Sequence, residues 1–245
     1  MSVVNFTTAK FRAPHFSKFP RFAAIIVPMQ IICRAILFDM DGVLVDSTPA
    51  VARVWTTWAL KHSLDPRSVV VRAHGRPSMA TIQELLPHGD HESENRWMEN
   101  AEIEDVSDVL ALPGAVALLN ILPSSSFAIV TSATRPLAEV RLRAAGLLVP
   151  KNLVTAGDVP IGKPSPQPYL HGAALLGVPP GDCVIIEDAP AGVLAGKAAG
   201  AKVIALRTTT PDKELRRRGA DWIVDNCAAL SLKLLTTKNQ LDISF

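Results

Sequence analysis

The chain has 245 residues, 48% of them hydrophobic, 20% charged and 5% aromatic, which suits one sizeable domain carrying an insertion. Its 25 basic and 23 acidic residues give no sequence-wide positive field, so neither nucleic acid nor a membrane is an expected partner, and no run is long enough to cross a bilayer. Three scattered cysteines, Cys33, Cys183 and Cys227, form no CxxC pair, indicate neither a disulfide framework nor a structural zinc site, and fit a reducing, cytoplasmic setting.

Lys10, Arg12, Lys18, Arg21 and Arg34 all precede the first acidic residue, Asp39. The apolar part of this leader, Phe22 to Val27, is short and is interrupted by Pro28, so residues 1–28 read as a dispensable, disordered extension rather than a targeting signal. Ile31 to Phe38 then reads as a strand buried on both faces. The stretch from about Asp46 to Leu110 changes character. Its Trp55, Trp58, Ile82, Leu85, Leu86 and Trp97 fall in a helical, polar-faced pattern, and the two first tryptophans are expected in the core of that insertion. Pro113 and Gly114 mark the return. Further Ile- and Val-rich runs follow at Phe127 to Val130, Val184 to Ile186, Val203 to Leu206 and Trp222 to Val224, separated by the helical segments Leu137 to Ala145, Tyr169 to Leu176 and Ala191 to Ala199. Alternating strands and helices predict an α/β fold, a doubly wound, Rossmann-type parallel sheet, with a helical insertion after the first strand. The expected division is 29–45 with 112–230 for the core, 46–111 for the insertion and 231–245 for a C-terminal tail.

Asp39-Met40-Asp41-Gly42 ends the first apolar strand, at the sheet edge where ligands of open parallel sheets bind. Spacing of two lets both carboxylates face one side, and Gly42 lets the chain turn away. Glu187-Asp188 stands in the same way directly after Val184 to Ile186, so three carboxylates, Asp39, Asp41 and Asp188, can converge across the sheet. Carboxylates that close repel unless a cation neutralises them, and Mg²⁺, hard and oxygen-seeking, is the natural candidate. Thr131-Ser132-Ala133 after the strand Phe127 to Val130 offers hydroxyls and backbone N–H groups to a phosphate. Lys163, between prolines 160 and 164, offers a fixed ammonium.

In this order the four motifs resemble the haloacid dehalogenase superfamily of aspartate-nucleophile phosphotransferases, over roughly Ile31 to Val224. The segment from Glu187 to Gly200, with His74-Gly75-Arg76 and Thr131 to Arg135, is similar to its sugar and polyol phosphatases. The resemblance implies that Asp39 is the nucleophile and that Asp41 is the general acid and then base, giving the metal its backbone carbonyl rather than its carboxylate. It further implies that Asp188 holds Mg²⁺ with Asp39, that Glu187 supports the site directly or through water, and that Ser132, the Ala133 amide and Lys163 bind the transferring phosphoryl group, with Thr131 one residue away as an alternative. The insertion corresponds to a cap over the substrate, with His74 and Arg76 as candidate substrate contacts. The expected activity is Mg²⁺-dependent hydrolysis of a small sugar or polyol phosphate by a monomer. A β-phosphoglucomutase type mutase shares these motifs, but its cap-hinge histidine corresponds here to Val51 and its cap arginine to Ser78. A non-catalytic protein on this fold would be expected to lose one of Asp39, Asp41, Lys163 or Asp188, and a dehalogenase would not need Asp41.

Overall fold

A computed structural model describes residues 29–74, 76–235 and 240–245; the expectation for the leader, 1–28, lies outside the described residues. In chain order the elements are β1 (Gln30–Cys33), β2 (Ala35–Phe38), β3 (Val45–Asp46), α1 (Thr48–Lys61), α2 (Pro66–Ala73), α3 (Ser78–Leu85), α4 (His91–Glu104), β4 (Leu110–Ala111), α5 (Ala115–Ile121) and β5 (Phe127–Val130). They continue with α6 (Arg135–Ala144), β6 (Leu153–Val154), α7 (Gln167–Leu176), β7 (Cys183–Glu187), α8 (Pro190–Ala198), β8 (Lys202–Leu206), α9 (Asp212–Arg217), β9 (Trp222–Val224), β10 (Ser231–Leu235) and β11 (Gln240–Ser244). No helix among the described residues is long and apolar enough to cross a membrane.

Six strands form one sheet in the order β6-β5-β2-β7-β8-β9, every pair parallel. Strands covered on both faces need apolar residues at every position, and β2, β5 and β7 are buried throughout. The pleat sends Ile36, Phe38 and Ile129 to one face, where they pack with Leu118 of α5 and Leu142 of α6. Leu37, Val130 and Ile185 go to the other, against Tyr169 of α7, Val193 of α8 and Leu215 of α9. This is the expected doubly wound α/β core.

The run Ile31 to Phe38 departs from expectation: it is two strands. The chain breaks at Arg34, whose N–H donates to the Asp182 carbonyl at 2.8 Å. β2 enters the parallel sheet, whereas β1 pairs antiparallel with β11, which also pairs with β10. β1 is buried on one face only, with Ile31 and Cys33 inward and Ile32 exposed. The segment from 231, expected only as a tail, thus supplies two strands of a second sheet. All three cysteines are free and buried.

Helices α1 to α4 leave and rejoin the core through the short antiparallel pair β3–β4. They carry their own apolar cluster, in which Val54, Trp55, Trp58, Ile82 and Met98 are buried. The rings of Trp55 and Trp58 meet edge to face at 5.5 Å, and the Trp58 indole N–H donates to Glu94 Oε2 at 2.8 Å. The α2 and α4 N-termini are each capped by an aspartate, Asp65 and Asp90.

Candidate active site

The sheet order explains why distant motifs meet. β2 lies between β5 and β7, so the chain leaves it toward one side and later returns on the other; ligand crevices open at the carboxyl ends of strands at such a switch point. Asp39 follows β2, Thr131 follows β5, Asp188 follows β7, and Thr208 and Thr209 lie beyond β8, all at one edge. A cavity of about 480 Å³ opens there, between this edge and the helices of the insertion.

Lys163 is the hub of its floor. Its Nζ, almost wholly buried, donates to Asp39 Oδ1 at 2.5 Å and to Glu187 Oε1 at 2.7 Å, and stands 4.8 Å from the centre of the Tyr169 ring. Glu187 is fully engaged. Oε1 also accepts from the Tyr169 hydroxyl at 2.8 Å, and Oε2 accepts from the backbone N–H groups of Asp188 and Ala189 at 2.8 and 2.9 Å. Those amides lie in the turn that leads into α8, so Glu187 fixes that turn while anchoring Lys163. A side chain at Gly192, one turn into α8, would occupy the space of the Glu187 carboxylate.

Asp39, Glu187 and Asp188 bring carboxylate oxygens within 4.8 Å of one another. Three buried carboxylates face one ammonium. Burial and the neighbouring Glu187 outweigh Lys163 and push Asp39 up to about 7, while burial, then Glu187 and Asp39, push Asp188 well above the usual carboxylate range. Burial alone would lower Lys163, but Asp39 and Glu187 reverse it and the net direction is upward. Thr209 Oγ1 donates to Asp188 Oδ2, while the buried Asp188 Oδ1 has no hydrogen-bond partner among the described residues. An excess of negative charge beside an orphaned, buried carboxylate oxygen fits a hard divalent cation held by oxygen ligands. Gly42, at φ +81°, makes room for Asp188, since a Cβ there would collide with its carboxylate.

The carboxylate of Asp41 does not join this cluster, which corrects the expected convergence of 39, 41 and 188 to one of 39, 187 and 188. Asp41 Oδ1 instead accepts from Ser47 Oγ at 2.6 Å and from Arg141 at 3.1 Å. Arg141, buried on α6, reaches with its other terminal nitrogen to Glu102 Oε2 of α4 at 3.3 Å, so one guanidinium joins the core, Asp41 and the insertion. Thr131 is buried and its Oγ1 accepts from the Ala133 N–H at 3.1 Å; Ser132 and Ala133 line the cavity. His74 lies toward the carboxylates, its Nε2 2.9 Å from Thr209 Oγ1 and 3.7 Å from Asp188 Oδ2. Arg76 lines the cavity with its guanidinium paired to Glu84 at 2.8 Å.

Sequence reasoning missed Tyr169, Arg141, Glu102 and Thr209. For Arg141 a signal existed, because it falls on the buried stripe Leu137, Ala138, Leu142 of α6, where a charge needs a partner. Tyr169 and Thr209 act through contacts that no spacing announces.

The profile of the haloacid dehalogenase-like hydrolases matches residues 33–200. Hexitol phosphatase A of Escherichia coli is 45% identical over 71% of this chain and 83% of its own length. Glycerol-1-phosphate phosphohydrolase 2 of Saccharomyces cerevisiae is 36% identical over 81% of this chain and 84% of its own. A hydrolase structure from Pseudomonas syringae superposes with a TM-score of 0.73 at 28% identity, covering 79% of this chain and 94% of that one. With its motifs at one sheet edge and its profile spanning most of the fold, the chain belongs to the haloacid dehalogenase-like hydrolase family.

Proposed function

We propose that the protein is a Mg²⁺-dependent phosphatase of small sugar or polyol phosphates, working through a phosphorylated Asp39. The observation that carries this reading is the buried Asp39, its Oδ1 bound by Lys163, at the floor of a cavity that Asp41 also lines. The phosphatase names of the relatives support the substrate class.

In the first step the Asp39 carboxylate forms a bond to phosphorus as the bond to the alkyl oxygen breaks, and Asp41 gives that oxygen its proton. In the second, Asp41 takes a proton from water, whose oxygen attacks phosphorus and returns Asp39 as a carboxylate with inorganic phosphate released. Ser132, Lys163 and the Ala133 amide, on exchanging Thr131 Oγ1 for substrate, are assigned to the phosphoryl oxygens, where charge stabilisation supplies most of the catalysis in phosphoryl transfer. Asp39 and Asp188, with the Asp41 backbone carbonyl, would hold Mg²⁺, and Glu187 positions Lys163 beside them. Bound there, the ion would supply positive charge against the phosphoryl oxygens and the carboxylates.

The helices of 46–111 act as a cap that shields the site from water during the first step. Hydrolysis is favoured over mutase chemistry because Val51, which lines the cavity, can neither donate nor accept a proton. Free, buried thiols are consistent with a cytoplasmic enzyme. Phosphate release from polyol phosphates, measured with and without EDTA, tests the reading. Release by the wild type, its loss with EDTA, and a loss of at least roughly 10⁴-fold in Asp39→Asn with an unchanged unfolding curve are expected. Near-normal turnover by Asp39→Asn would refute it.

A further inference from the structure

On the phosphatase reading the phosphoryl group is held at the cavity floor, so the remainder of a substrate projects toward the insertion, where α4 is one of the walls it meets. Asn95, Glu99 and Glu102, at positions i, i+4 and i+7, lie on one face of that helix and all line the cavity. Their states differ. Glu102 is buried and paired with Arg141. Asn95 Oδ1 accepts from Ser78 Oγ at 2.7 Å, which leaves its two N–H donors. Glu99 accepts a hydrogen bond of 2.5 Å from Thr134 Oγ1, and among the described residues no cation lies within ion-pair distance of it.

The cavity's cations present the opposite picture. Lys163 is bound to Asp39 and Glu187, Arg141 to Asp41 and Glu102, and Arg76 to Glu84. Away from the floor, Arg141 faces two carboxylates and Arg76 shares Glu84 with Arg72, so the cavity-lining charge left without a counter-ion among the described residues is the negative charge of Glu99. Such a wall accepts hydrogen bonds from hydroxyl groups, and charge-assisted bonds of this kind are stronger than neutral ones. It repels a second phosphate or a carboxylate on the substrate, because like charges in a partly desolvated cavity are poorly screened.

Resting on the phosphatase reading above, we propose that Glu99, with Asn95 beside it, is the specificity-determining residue of this enzyme, binding hydroxyls of a neutral polyhydroxyl chain and excluding substrates with a second anionic group. Glu99 acts on the non-reacting end of the substrate and takes no part in proton or phosphoryl transfer.

The test compares kcat/KM for glycerol phosphate, a hexitol phosphate, a hexose bisphosphate and p-nitrophenyl phosphate in the wild type, Glu99→Gln and Glu99→Lys. Ratios between substrates within one protein sample are the readout, so any misfolded fraction cancels. For Glu99→Gln the ratio of hexitol phosphate to p-nitrophenyl phosphate is expected to fall at least about tenfold, because only the former offers hydroxyls. For Glu99→Lys the ratio of bisphosphate to hexitol phosphate is expected to rise at least about tenfold. Either ratio staying within about threefold of the wild type overturns the assignment of Glu99 while leaving the phosphatase reading intact. Failure of the wild type to release phosphate from any of the four compounds overturns both.

Discussion

The sheet edge and the insertion build their halves of the cavity by different means. At the edge, Lys163, Glu187, Tyr169 and Asp39 are buried in one connected network, held together by Glu187, which accepts from Lys163, Tyr169 and two backbone amides, and by Lys163, which also donates to Asp39. The insertion is organised around an apolar cluster of its own, and it presents polar residues to the cavity from one helix face, each with one or two partners. Strand ends in a parallel sheet fix where chemistry happens whatever the loops do. On α4, Glu102 is tied to the edge through Arg141 and Asp41, whereas Asn95 and Glu99 hold no residue of the buried network and can change while that network stays.

The sharpest way to break this contrast is to cut the connection between the two halves. Arg141→Met would leave the buried Glu102 carboxylate without its cation and release Asp41, and destabilisation of about 3 kcal/mol is expected from thermal or denaturant unfolding. Because Asp41 also loses orientation, hydrolysis of an alkyl phosphate should fall more than that of p-nitrophenyl phosphate, whose leaving group needs less help from a proton. Equal losses on both substrates would reduce Arg141 to a packing role.

A smaller effect is expected within the edge itself. Gly192→Ala places a methyl group on the Glu187 carboxylate, and accommodating it should cost about 2 kcal/mol. Turnover should fall as well, since Glu187 anchors Lys163. Unaltered activity in a destabilised Gly192→Ala would separate that anchor from catalysis.

The smallest effect belongs to the outer surface of the insertion. Arg53 on α1 holds both Asp105 and Asp108, at 2.7 to 2.9 Å, beside the return to the core. Its hydrogen bonds keep both carboxyls below the usual carboxylate range. A depressed pKa contributes stability above the unfolded value, about 4, and loses it as pH falls through the folded value. Arg53→Ala should therefore melt slightly below the wild type at pH 7, within about 2 °C for so exposed a cluster, and the difference should vanish in acid. A gap that persists or widens below pH 3 would contradict the assignment.

How much could be read in the sequence follows the same division. Asp39, Asp41, Thr131, Lys163 and Asp188 were legible because each stands at the end of an apolar run, or in the loop beside one, and parallel topology brings such ends to one edge. The split of Ile31 to Phe38 was not legible, because an unbroken apolar run carries no mark of the point where a chain changes sheets. Neither was β6, whose two residues are too few to show a period. The carboxylate of Asp41 stands outside the cluster of Asp39, Glu187 and Asp188, held instead by Ser47 and Arg141, and the second of these lies a hundred residues on. On the insertion, periodicity revealed the helices and their tryptophans, whereas the facing of Asn95 and Glu99 depends on how α4 packs against α6.

Trapping the covalent intermediate tests the role of Asp39 most directly. Borohydride added to the enzyme during steady-state turnover of a hexitol phosphate reduces an acyl phosphate to an alcohol, and peptide mass spectrometry locates the change. A mass loss confined to the peptide containing residue 39, present only with substrate and Mg²⁺, is expected. Rapid turnover with that peptide unmodified, or with the label on residue 187 or 188, would contradict nucleophilic attack by Asp39.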